Sequence, residues 1–183
     1  MPYAVDLKSR LELRKLANNF RDSLGLHDFL YFPIVEILDI MCNLSKGFSY
    51  EIVSNSALPP NIHAEIDIIN KHISIKENVY DSAAKGNGRD RMTIAHEIGH
   101  YITICICGFK LHRIFNNNCL KSMSVSPEWQ AKCFAGELLI PAHLTNNMQP
   151  KEIADKCGVS LTAATYQYRV MHDRWLQVLK RSK

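Results

Sequence analysis

The chain has 183 residues, of which 46% are hydrophobic and 22% charged, and its formal net charge is +4. That length fits one domain with a real core, and the ordinary composition excludes a disordered or low-complexity protein. The mild positive charge falls well short of the concentrated basic stripe left by phosphate-backbone binding, so nucleic acid is not an expected partner.

The opening residues MPYAVDLKSRLELRKL hold no apolar core of signal-peptide length. No stretch approaches the roughly 20 apolar residues that span a bilayer. The six cysteines (Cys42, Cys105, Cys107, Cys119, Cys133, Cys157) are scattered rather than arrayed as a disulfide framework. The expectation is a cytoplasmic protein with no membrane association. Cys105 and Cys107 lie in the apolar run ITICIC, where packing is a better reading of the pair than metal binding.

Residues 5–24 place Leu7, Leu11, Leu13, Leu16, Phe20 and Leu24 at near-helical spacing, with Gly25 as a stop. Pro33 opens a second helix, because Ile34, Ile37, Leu38 and Met41 recur on one face before Lys46-Gly47. The period then changes to two. Phe48, Tyr50 and Ile52 alternate with polar neighbours, and so do Ala64, Ile66 and Ile68 after Pro59-Pro60. Asn70-Lys71 separates that run from Ile73 and Ile75, which predicts an antiparallel hairpin. The small, polar stretch Asp81–Asp90 reads as a surface loop. Residues 91–106 read as a largely apolar helix, and 127–139 as another that stops at Pro141. Residues 108–126 show no pattern. The tail predicts a short helix at 151–157, a break at Gly158, a cap at Ser160 and a longer helix to about Leu179. One domain, 1–183, is therefore expected, with N-terminal helices (1–46), a core (48–141) and a C-terminal helix pair (151–180).

His96-Glu97-Ile98-Gly99-His100 is a His-Glu-x-x-His sequence inside a predicted helix. Residues four apart share a helix face, so both imidazoles can reach one ion, and Glu97 is offset beside it as a general base. At this histidine content, chance supplies about 0.02 such patterns. Gly99 costs about 1 kcal/mol of helix propensity relative to alanine, a cost that makes sense where something approaches the backbone closely. Catalytic zinc takes three protein ligands, and the residues alone leave Glu128, Glu137, His112, His143 and Cys119 open as the third. Glu128 is favoured by its place on a rigid helix just after Pro127, although a first-turn acid also suits the helix dipole.

Two segments, RDRMTIAHEIGHYI at 89–102 and PEWQAKCFAGELLIP at 127–141, resemble the ImmA/IrrE family of metallopeptidases. The resemblance extends more weakly over residues 50–172. It implies an α+β, zincin-like domain in which a short antiparallel sheet packs on helices. It also implies one zinc ion per chain held by His96, His100 and Glu128, with Glu97 as the base. The implied activity is endopeptidase cleavage of a cytoplasmic protein, in this family often a helix-turn-helix transcriptional repressor. One departure stands out. Where the family commonly has Asn or Asp one turn after the ligand glutamate, this chain has Lys132, which cannot accept the hydrogen bond that orients a ligating histidine. An oxyanion-stabilising residue is also expected, and Tyr101, His112, His143 and Tyr166 are not ranked by sequence. Two competing readings remain: a DNA-binding regulator that uses the tail IADKCGVSLTAATYQYRVM, and a catalytically silent metal-binding protein. The second helix of the tail has no cluster of base-reading Arg, Asn or Gln at its start, so a structural helix pair is the better reading of it.

Overall fold

The computed structural model describes residues 9–106 and 126–172, together with the backbone of two short strands, β1 (Tyr3–Ala4) and β5 (His112–Arg113), which pair antiparallel. The side chains of His112, Cys107 and Cys119, and the expected helix beyond His172, lie outside the described residues.

The fold is α+β. Helix α1 (Arg10–Ser23) starts at a capping box in which Ser9 and Glu12 satisfy each other's backbone donors, and it buries Leu13, Ala17 and Arg21. Helix α2 (Ile34–Leu44) follows Pro33 and buries Ile34, Ile37, Leu38 and Met41, as the spacing predicts. Strands β2 (Ser49–Val53), β3 (Ala64–Asp67) and β4 (His72–Lys76) form one sheet in the order β2-β4-β3. The hairpin of β3 and β4 is antiparallel with Ile66 opposite Ile73, and Lys71 at its turn takes a left-handed φ of 54°. Strand β2 runs parallel to β4 on the other side, which makes the sheet mixed rather than purely antiparallel. The ten-residue excursion between β2 and β3 carries the chain across β4, a geometry that a two-residue hairpin cannot provide.

The expected loop at 81–90 is a correction. Helix α3 (Glu77–Ala84) occupies its first half, because Val79 and Ala83, four apart, both sink into the core. Only Lys85–Asn87 remain as the turn, with Gly86 at φ 88°. Helix α4 (Gly88–His100) begins at once, its first N–H groups capped by the Asn87 side chain. A second correction concerns its end, where the backbone widens into a π-helical turn over Tyr101–Ile106. There the Thr103 hydroxyl donates to the Gly99 carbonyl at 2.7 Å, a local bond that competes with regular α geometry.

Helix α5 (Pro127–Leu139) matches its expected bounds, with Ser126 as cap, and packs against both α1 and α4. A one-turn helix α6 (Ala142–Thr145) precedes α7 (Pro150–Cys157) and α8 (Leu161–His172). The turn between the last two is built into the body of the molecule. Gly158 is left-handed, and a Cβ there would meet the Tyr31 ring at 2.6 Å. Buried Arg91 donates to the Gly158 carbonyl at 2.8 Å and to the Phe32 carbonyl at 2.8 Å. One continuous apolar cluster joins residues from Ala17 on α1 to Met171 on α8. No helix among the described residues is long and apolar enough to cross a membrane.

Candidate metal centre

Helices α4 and α5 cross at Gly99. A Cβ at that position would lie 2.9 Å from the Ala131 carbonyl oxygen, so the missing side chain lets the two backbones touch. This close approach brings the first turn of α5 over the last turn of α4. His96, His100 and Glu128 converge there, with one potential ligand atom from each lying within 4.8 Å of the others. His96 Nε2 lies 3.2 Å from His100 Nε2 and 3.2 Å from Glu128 Oε2, and His100 Nε2 is 3.2 Å from Glu128 Oε1. Ligand bonds of about 2.0–2.1 Å in a tetrahedral site put neighbouring ligand atoms roughly 3.3 Å apart, so the set has the spacing as well as the chemistry for zinc. The histidine hydrogen bonds hold the Glu128 carboxyl well below the usual carboxylate range.

Glu97 is buried beside this cluster. Burial pushes its carboxyl up to about 8, the charges of Glu128 and Glu65 add to the rise, and the Ile66 N–H donates to it and opposes the rise. A cation at the three ligand atoms would also oppose it. The Ile66 contact ties Glu97 to β3, an edge strand packed along α4.

The other expected candidates lie elsewhere. Glu137 is fully buried in an ion pair with Arg10 at 3.1 Å and Arg14 at 2.7 Å, both on α1. His143 stacks on His27 and reaches the His27 carbonyl at 3.1 Å. Tyr101 is a core residue whose ring meets Phe48 and whose hydroxyl bonds Ser45. Cys105 is half-buried, with its thiol directed to the Ile68 carbonyl, in keeping with packing. Lys132 is exposed, and the Nδ1 atoms of His96 and His100 are buried with no hydrogen-bond partner among the described residues.

A cleft of about 700 Å³ opens beside His96, between α4, α5 and α8. Arg10, Trp129, Tyr166 and Gln167 line it, none of which was singled out for the site except Tyr166. The Tyr166 hydroxyl accepts from Arg10 at 3.1 Å. No local pattern marks these residues, because Arg10 and Tyr166 meet across 156 positions.

No family model and no curated protein matches the chain. Among solved structures, a Mycobacterium tuberculosis transcriptional regulator is similar, with a TM-score of 0.59 and 12% sequence identity. The match covers 87% of this chain and 46% of that one, so this chain spans under half the length of its structural neighbour. At that identity the likeness concerns the fold alone.

Proposed function

We propose that this chain is a zinc-dependent endopeptidase that cleaves a cytoplasmic protein, with a helix-turn-helix repressor as the substrate kind implied by the ImmA/IrrE resemblance. The observation that carries the reading is the convergence of His96, His100 and Glu128 at mutual distances of 3.2 Å, with Glu97 buried alongside. Zinc held there supplies Lewis-acid polarisation of a peptide carbonyl and makes an attacking water more acidic. Glu97 takes the proton from that water at its carboxylate and returns it to the leaving amine. The Ile66 N–H favours the charged form of the Glu97 carboxylate. The edge of β3 offers main-chain groups to an extended substrate.

The DNA-binding reading is weaker. Ser160, Thr162 and Ala163, at the start of the would-be recognition helix, face the cleft beside His96. The backbone of Val159 and Ser160 is also seated on Gly88, where a Cβ would come within 2.4 Å. The test is Glu97→Gln, incubated with candidate repressors encoded near the gene and analysed by mass spectrometry. The variant keeps zinc and melting temperature and loses about 10²–10⁴-fold of wild-type cleavage. Target inactivation that proceeds equally well with Glu97→Gln would replace hydrolysis with a role in metal-dependent binding.

A further inference from the structure

We propose that the cleft beside His96 selects a substrate segment carrying a large apolar side chain close to an acidic residue, and that Lys132 is the cation that reads the acid. The inference deepens the hydrolytic reading above and rests on it for the word substrate. Two observations lead to it.

First, a volume of about 700 Å³ walled by Met92, Trp129, Cys133 and Ile140 suits a bulky apolar group, and the cleft opens at His96, next to the other ligands. Second, the fully charged side chains lining the cleft are Arg10, Arg89 and Lys132, with no carboxylate among the described lining residues. One of these cations is neutralised by a carboxylate, and a second is held by a hydrogen bond. Arg10 serves Glu137, Gln167 and Tyr166, and Arg89 reaches His63 Nε2 at 3.0 Å. Lys132 is exposed and has no ion pair or hydrogen bond among the described residues, so its charge is available to a ligand. An apolar chamber with an excess of cations complements an apolar segment that brings a carboxylate.

Spacing locates the acid. Lys132 follows Glu128 by four residues on α5, about 6 Å along the axis. An extended peptide covers that distance in about two residues, which places the acidic side chain about two positions from the scissile bond.

The test has two arms, both on the full chain. In the first, the apolar anion 8-anilinonaphthalene-1-sulfonate and the neutral N-phenyl-1-naphthylamine are titrated by fluorescence. Lys132→Glu is expected to weaken the anion about tenfold and leave the neutral probe within twofold, while Ala163→Trp, which fills the cleft, weakens both. Equal effects of Lys132→Glu on the two probes, or anion binding that survives Ala163→Trp, would overturn the inference. In the second arm, the zinc-loaded chain digests a proteome-derived peptide library. Acidic residues should be enriched about two positions from the cut, and Lys132→Glu should exchange that preference for Lys and Arg. Cleavage with no acidic enrichment sinks the inference and leaves the peptidase reading standing. Absence of cleavage with charge discrimination retained in the first arm sinks the peptidase reading and supports the cleft's selectivity.

Discussion

Replacing His96, His100 or Glu128 with alanine is expected to abolish tight zinc binding, as read by metal analysis of the purified chain, because each removes one of the three side chains proposed to hold it. Glu137→Ala is the contrasting control. It should keep zinc but cost about 3 kcal/mol of stability in denaturant melts, since it strips a buried carboxylate from Arg10 and Arg14. The two glutamates, nine positions apart on α5, show what the sequence can reveal at this scale. The His-Glu-x-x-His spacing is a local pattern and is legible. The difference between Glu128 and Glu137 lies in partners from other helices, and the arginines that occupy Glu137 are more than 120 positions away. Residue chemistry alone therefore left several candidates for the third ligand. Gly99 was legible in another way: a helix-weakening residue inside a helix pointed to close approach, and Ala131 of α5 is what approaches. Gly99→Ala should destabilise the fold by about 1–3 kcal/mol and weaken zinc binding, because pushing Ala131 away also shifts Glu128 one turn earlier. Unchanged melting and zinc affinity in that variant would show that the two helices separate without cost.

Among the elements, those with a strong internal period were readable: α2, the β3–β4 hairpin and α5 appear where the apolar spacing puts them, and α1 does so from Arg10 on, since Ser9 caps it there rather than at the expected residue 5. The failures have a common cause. Helix α3 buries only Val79 and Ala83, a two-residue signal set among small polar neighbours that also suit loops. The π-helical turn after His100 coincides with hydroxyl-to-carbonyl bonding by Thr103, which leaves no periodic trace. The parallel pairing of β2 depends on the path of a connection rather than on the strand's own residues. The C-terminal pair carries a prediction of its own. Ile153, Cys157, Val159, Ala164 and Met171 are all buried, and Arg91 would lose its carbonyl partner at Gly158. Truncation after Pro150 should therefore abolish cooperative thermal melting by circular dichroism. A truncated chain that still melts sharply would make α7 and α8 an appendage.

For the whole molecule, zinc bound at the proposed site in a thousandfold excess over its dissociation constant would add about 4 kcal/mol to stability. In a chain of this size, each kcal/mol moves the melting temperature by about 2–4 °C. Chelation by EDTA should thus lower the midpoint by about 8–16 °C, and zinc, added back, should restore it. No change on chelation would mean that the three side chains do not hold metal in solution.

The seat of Gly88 against Val159 and Ser160 also bears on the order of synthesis. The helix that carries the histidines is gripped at its start by backbone that lies 59 positions beyond His100. At ribosomal speeds of about 5–20 residues per second, those positions follow His100 by about 3–12 s. Throughout that interval His96 and His100 are already made, yet the wall that fixes their helix is not. On the proposed function, a growing chain would therefore lack the seated histidine helix until Val159 and Ser160 are in place.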